Sequence, residues 1–406
     1  MKYLSSPSME VTTMIGCPLM CTYCPQEPLR KNYPETSTKY MQLDDYKVML
    51  AKIPGHVSIA FCGMSEPWAN PICDDLLEHT LSKGYRVSIC TTLYGMSNPR
   101  RTSHLLNKYN SQIQALRLHL PDRSGNMKGW RESESWREAY INISSLTLNC
   151  GIERMTMDKD GVTNEKIHDL FQKTDSFRGH QRAGALDLKK LNGQPVLPLV
   201  KRAGPILCSM SPNYDANMLL PNGDVLLCCH DYNMRHILGN LLQLEKYEDL
   251  FKSDELKNVR LINESDGFST TTICKSCHEA VGFDQEHMYK RAGVEEVLNR
   301  VFNKYRPENI AFWGAGAYLS LLYDSLDMYN YKPLLIFDKT RKIEKFEGVP
   351  VLQPPAAYEM QNLDVKCIVI TALSSGNDIE RELRENYSDI EIFRLHKNSI
   401  ALDKIV

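Results

Sequence analysis

Cys17-Pro-Leu-Met-Cys21-Thr-Tyr-Cys24 places three thiols on one short loop, directly after the apolar, strand-like stretch Glu10–Ile15. Three thiolates on a single loop suit three irons of a [4Fe–4S] cluster and leave the fourth iron open. A closed zinc site wants a fourth Cys or His nearby, and the loop offers none. Zinc with a distant fourth ligand is the alternative on spacing alone.

The rest of the cysteine pattern points the same way. The chain has 406 residues and 13 cysteines. An odd count in a long chain argues against a disulfide framework, and the N-terminus lacks the apolar core and cleavage site of a signal peptide. We expect a cytoplasmic protein. Eight cysteines fall in tight groups, 17/21/24, 208 with 228/229, and 274/277. Grouped thiols in a reducing compartment usually hold metal. Lys plus Arg is 48 and Asp plus Glu is 50, a formal charge of −2. That balance removes the electrostatic case for nucleic acid or an anionic membrane as partner. No run of about 18 apolar residues is present, so no membrane-spanning helix is expected.

Strand signals recur at Glu10–Ile15, Val57–Cys62, Arg86–Cys90, Ala115–Leu120 and Glu153–Met157. Helical periodicity lies between them at Leu43–Ile53, Asp74–Lys83 and Thr163–Thr174. Repeated βα units predict a parallel sheet over residues 1–200. The rhythm breaks at residues 179–205. A hairpin follows, Met218–Leu220 and Val225–Leu227, around Pro221-Asn222-Gly223-Asp224, where Asn-Gly is a tight-turn signal. A third α/β segment runs from 306 to 406. It contains Ile310–Trp313, a Gly314-Ala-Gly316 turn, a helix from Ala317 to Tyr329, strands Leu334–Phe337 and Cys367–Thr371, and helix Asn377–Tyr387.

Cys208, Gly223, Cys228 and Cys274-Lys-Ser-Cys277 form a second constellation, able to close on a cubane or on zinc. Spacing from Gly223 picks Cys228 over Cys229, which strand alternation turns to the other side. Cys62 and Cys90 end apolar strands and read as small core residues, with a thiol that returns a hydrogen atom as the other possibility.

The cysteine triplet, with Tyr23 before its last Cys, resembles the hallmark of the radical SAM superfamily. The turn Gly63-Met64-Ser65-Glu66-Pro67 after the second strand resembles that family's SAM-binding element, with Met64 in place of the usual second Gly. The pattern from Cys208 through NGDVLLCC and ILGNL to Cys274/Cys277 resembles the SPASM/twitch extension. No cysteine follows Cys277 before Cys367, so the single-cluster twitch form fits better. The resemblance implies a partial (β/α)6 barrel over 1–200, a small α+β cluster domain over 201–300 and a Rossmann-like domain over 306–406. It implies S-adenosylmethionine and two [4Fe–4S] clusters, one held by Cys17, Cys21 and Cys24 and one by Cys208, Cys228, Cys274 and Cys277. An external electron donor such as flavodoxin or ferredoxin would serve them. Gly63, Met64, Ser65, Glu66 and Thr92 would meet SAM. Arg182, in an Arg-Ala-Gly stretch similar to one near the end of such barrels, would contact SAM or position the cluster domain.

Barrel active sites lie at the carboxyl ends of strands, which makes Arg117, His119 and Asp122 substrate-contacting candidates. Asp338 follows the strand after the Gly314/Gly316 turn, as a ribose partner would, although Leu319 replaces the third Gly of the dinucleotide fingerprint. The reaction expected is radical oxidation or epimerisation of a sugar, aminocyclitol or related small metabolite. The alternative is radical modification of a ribosomally made peptide. Against that stands the lack of a peptide-recognition domain among the sixteen residues before Cys17. A redox sensor would not need the Gly63–Pro67 element.

Overall fold

The computed structural model describes residues 7–176, 181–186, 199–211, 213–282, 294–316, 318–319, 322–323, 328–339, 343–355, 357–372 and 376–395. The chain forms two compact units, one of residues 6–206 with 214–280, the other built mainly from 281–406.

In the first unit the strands are β1 (Ser8–Val11), β2 (Ser58–Phe61), β3 (Val87–Thr91), β4 (Ile113–His119), β5 (Glu153–Thr156) and β6 (Asp175–Ser176). Successive strands pair in parallel from β1 to β6. β7 (Ile206–Cys208) carries Cys208 and is not part of this sheet; residues 207–213 fall in the other unit. The next three are β8 (Ala216–Leu219), β9 (Asp224–Leu226) and β10 (Ile237–Asn240). β8 lies parallel to β1, so the hairpin of the cysteine-rich segment continues the same sheet, in the order β10-β9-β8-β1-β2-β3-β4-β5-β6. Leu220 N donates to Asp224 O and Gly223 N to Leu220 O, closing the hairpin expected from Asn222-Gly223. Gly223 takes φ +89°, open to glycine without a Cβ penalty.

Helices α1 (Gln26–Asn32), α2 (Leu43–Leu50), α3 (Cys73–Ser82), α4 (Pro99–Lys108) and α5 (Glu134–Ser144) connect the strands, and α6 (Asp254–Glu264) follows β10. Burial alternates along the strands. Met9, Val11, Ile59, Phe61, Val87, Ile89, Leu116 and Leu118 lie in one apolar core with helix residues Tyr46, Met49, Leu76, Leu77, Leu106 and Tyr140. Fully burying one such side chain is worth about 1.5–3 kcal/mol, which fixes strand register.

Thr163–Thr174 is not the helix its apolar spacing suggested. It holds a single 3-10 turn, Glu165–Ile167, whose cap Asn164 accepts from Lys166 N. Thr163 bonds the carbonyls of Phe171 and Gln172 and bridges Asp122, so side-chain bonding has replaced the helical ladder.

The second unit is built on a separate sheet. After β11 (Ala280–Gly282) come β12 (Ile310–Trp313), β13 (Leu335–Phe337), β14 (Lys345–Phe346), β15 (Val349–Leu352), β16 (Cys367–Ile370) and β17 (Glu391–Arg394). The order is β14-β15-β13-β12-β16-β17, parallel except for the edge hairpin β14–β15. Starting from β12, this is the doubly wound arrangement expected of a Rossmann-like domain. Asp338, at the end of β13, accepts from Ala315 N at 2.9 Å, and so ties the Gly314–Gly316 turn to its neighbour. The helix expected from Ala317 to Tyr329 lies in part outside the described residues, as does the stretch before Gln181.

Candidate functional site: a thiol loop at the strand ends and a second cysteine group

The triplet loop leaves β1 and is held from three sides. Gln26, in the first turn of α1, is the link to the Gly63–Pro67 turn. Its Oε1 accepts from Cys17 N (3.3 Å), and its Nε2 donates to Cys24 Sγ (3.2 Å) and Met64 O (2.6 Å). On another side, Thr22 N donates to Asn126 O (2.9 Å), and Thr22 Oγ1 donates to Asn126 Oδ1 (2.5 Å). Asn126 is fully buried and donates through its backbone N and Nδ2 to the Asp122 carboxylate. Gly129 N donates to Leu19 O at 2.6 Å. On the third side, Cys24 Sγ lies 3.4 Å from Tyr232 Oη, and Tyr23 Oη lies 3.5 Å from His119 Nε2.

Burial pushes the Cys17 thiol up to about 11. Burial also raises Cys21, and the neighbouring Cys24 and Cys17 raise it further. Thiols gathered in such a place ionise only with a cation among them, and metal ligation supplies that cation. The donor set therefore fits an iron–sulfur cluster.

The Gly63–Pro67 turn needs its glycine. Gly63 takes φ +52°, and a Cβ there would meet Thr12 Oγ1 at 2.7 Å and Val11 O at 2.8 Å. Met64 N donates to Thr12 Oγ1 (3.1 Å), and Ser65 Oγ accepts from Met14 N (3.4 Å). Glu66 is buried. Its Oε1 accepts from Thr91 Oγ1 (2.6 Å) and Trp68 N (3.4 Å), and its Oε2 from Thr92 N and Thr92 Oγ1 (both 2.7 Å). Burial pushes Glu66 up and these donors pull it back. Glu66 and Thr92 thus clamp the end of β3 to the turn.

Arg117 pairs with Glu153 at 2.7 Å, both about half-exposed. His119 lies against Tyr23 with ring centroids 5.3 Å apart and the planes tilted by 30°, and burial holds it neutral down to about 4. Asp122 is buried and braces the triplet loop through Asn126. Along the sheet face opposite the helix-packed core, β-alternation places Glu10, Cys62, Cys90, Arg117, His119 and Glu153. Cys90 neighbours Arg117, and Arg117 neighbours Glu153. Cys62 Sγ donates to Glu10 Oε2 at 3.2 Å.

The two adjacent cysteines, both half-buried, have partly different surroundings. Desolvation raises Cys228, and Cys229, Cys274 and Cys277 raise it further. Desolvation and Glu10 raise Cys229, Arg182 lowers it, and Cys277 acts on it as well. Arg182 and Ala183 take φ +51° and +49°. Arg182 Nη1 donates to Cys229 O (3.4 Å), and its guanidinium lies 5.7 Å from the Tyr232 ring centroid. Cys208, in β7, accepts from Ser211 N at 3.4 Å. Gln26, Asn126 and Tyr232 were not singled out by sequence reasoning; each is a common residue type with no motif of its own.

Residues 208–278 match the SPASM family, an iron–sulfur cluster-binding domain. No curated protein matches the chain. Among solved structures it is similar to BtrN in complex with AdoMet and 2-DOIA, at 17% identity and TM-score 0.42, covering 66% of this chain and 89% of that one. It is also similar to anSMEcpe with bound AdoMet, at 15% identity and TM-score 0.35, covering 62% and 82%. A third is Streptococcus suis SuiB bound to precursor peptide SuiA, at 13% identity and TM-score 0.32, covering 68% and 70%. The match over residues 208–278 bears out the iron–sulfur domain read from Cys208 through Cys277. No helix among the described residues is long and apolar enough to cross a membrane.

Proposed function

We propose that this chain is a radical SAM enzyme that abstracts hydrogen from a small polar metabolite, a sugar, aminocyclitol or close relative, and so oxidises or epimerises it. The observation that carries the reading is the polar sheet face beside the triplet loop, where Glu10, Arg117, His119 and Glu153 stand in place of the apolar residues usual on a parallel sheet. Such groups pair with hydroxyls and amines, and a site built to pair them discriminates strongly against analogues that lack them.

Cys17, Cys21 and Cys24 would hold one cluster, and Cys228, Cys274 and Cys277 would serve the other. When bound, the clusters and S-adenosylmethionine supply one-electron cleavage of the sulfonium and a hydrogen-abstracting radical. The chain's own residues do the rest. Gln26 and Asn126 hold the thiol loop to the Gly63–Pro67 turn and to the loop after β4. Glu66 keeps Thr92 in place at the end of β3. Arg182, whose Nε is buried without a partner among the described residues, is suited to an anionic group such as the carboxylate of S-adenosylmethionine. The neutral His119 imidazole can accept or donate at a substrate hydroxyl without carrying charge into the site. The Arg117–Glu153 pair can open toward the same hydroxyls.

The test offers deuterated sugars, cyclitols and nucleotide sugars to the reconstituted enzyme and follows deuterium into 5′-deoxyadenosine. Transfer from one of these classes is expected. Arg117→Ala should then lose at least tenfold in substrate turnover, on the order of one lost charged hydrogen bond, and His119→Ala several-fold, on the order of one lost neutral hydrogen bond. SAM cleavage without substrate should persist in both. Transfer from a co-expressed peptide, with none from any carbohydrate, would replace this reading with peptide modification.

A further inference from the structure

The second cysteine group has two basic residues beside it, His230 and Arg202. His230 is buried, and its Nδ1 lies 3.2 Å from Cys277 Sγ. The ligating atoms of His230, Cys277 and His278 all lie within 4.8 Å of one another. His278 stacks on His230 with ring centroids 5.2 Å apart and bonds Glu279 through Nε2 at 3.0 Å, which fixes the orientation of the pair. Arg202 is 7% exposed, and its backbone N donates to Lys275 O at 2.9 Å, inside the Cys274–Cys277 loop. Its Nε and Nη2 are buried with no hydrogen-bond partner among the described residues. Lys275, the other buried cation, is committed elsewhere, donating to Gly204 O and Ser265 O, both at 2.7 Å. The Cys277 sulfur opposes the downward push that burial exerts on Arg202.

A buried guanidinium with two unspent donors costs several kcal/mol unless an anion faces it. A four-thiolate cubane is such an anion. A thiolate bound to iron has no proton to give, so the 3.2 Å contact then requires His230 to donate from Nδ1. Hydrogen bonds to cluster sulfurs and nearby positive charge both favour the more negative, reduced state. We propose that Arg202 and His230 are the donors that set the reduction potential of the auxiliary cluster, holding it higher than the cysteines alone would. The inference rests on the assignment of that cluster to the group of Cys228, Cys274 and Cys277.

The test uses the full chain with Cys17, Cys21 and Cys24 replaced by alanine, so that only the auxiliary cluster is read. Potentiometric titration followed by electron paramagnetic resonance should show a lower midpoint in Arg202→Gln and in His230→Phe. Arg202→Lys and His230→Gln, which keep a charge and an N–H respectively, should stay closer to the parent. Unchanged potentials in variants that keep about four irons would overturn the proposal. If either variant fails to hold a cluster, pulsed resonance on the parent decides. A weak nitrogen coupling with an exchangeable proton supports donation from His230. No nitrogen coupling, or the strong coupling of a directly ligated imidazole, contradicts it. A parent without iron would overturn the cluster assignment itself.

Discussion

The Cys17→Ala, Cys21→Ala, Cys24→Ala triple variant, reconstituted anaerobically and reduced, loses all cleavage of S-adenosylmethionine to 5′-deoxyadenosine and methionine. The three thiols are the only cysteines on the loop, and each side of it is tied to a different part of the unit. Removing them would take away the protein ligands proposed for the open-iron cluster and leave Gln26, Asn126 and Asp122 around a loop without thiols. The fold itself should survive, because the apolar core of β1 to β4 and α2 to α5 makes no use of iron. Normal cleavage in this variant would sink the assignment of the SAM site.

Gly129→Ala should cost nearly as much, although it removes no ligand. A Cβ at this position would stand 2.0 Å from Pro18 O and 2.8 Å from Leu19 Cα. Both are backbone atoms of the thiol loop, so no side chain can swing away to make room. Overpacking of this kind typically costs about 1–3 kcal/mol. Here it would fall on the loop that must present Cys17 and Cys21. We expect iron at the triplet and S-adenosylmethionine cleavage to drop at least tenfold while the auxiliary cluster stays filled. Gly55→Ala, with nothing within 4 Å of its new Cβ, is the control and should behave as the parent. Full iron and full cleavage in Gly129→Ala would mean that the loop is not held as described.

The strands were legible because each is a short apolar run between polar breaks. Val57–Cys62 became Ser58–Phe61, and Ile310–Trp313 was found with its full extent. The hairpin was legible from Asn222-Gly223, whose turn chemistry is local. Thr163–Thr174 failed because the apolar spacing of Ile167, Leu170 and Phe171 is blind to Thr163 and Asn164, whose side chains bond the backbone instead. β17 passed unnoticed, since Glu391–Arg394 has the alternating polarity of an edge and only Phe393 deeply buried.

The site divides in the same way. Cysteine spacing is a local signal, so the triplet loop and the segment that matches an iron–sulfur domain could be singled out directly. The partners of Glu66 could not, because Thr91 and Thr92 arrive from the next strand. Asp122 reads from sequence as a rim acid, yet its carboxylate is turned inward to Asn126. Cys228 and Cys229 differ in their neighbours, Cys274 for the first and Glu10 and Arg182 for the second, which no local spacing could show.

Iron and zinc analysis with Mössbauer spectroscopy, on the anaerobically reconstituted full chain and on the Cys17/Cys21/Cys24 triple variant, tests the central claim most directly. Two cubanes of four irons each predict about eight irons per chain in the parent and about four in the variant, with the spectrum of a [4Fe–4S] cluster in both. Stoichiometric zinc in the variant, with no iron, would contradict the account.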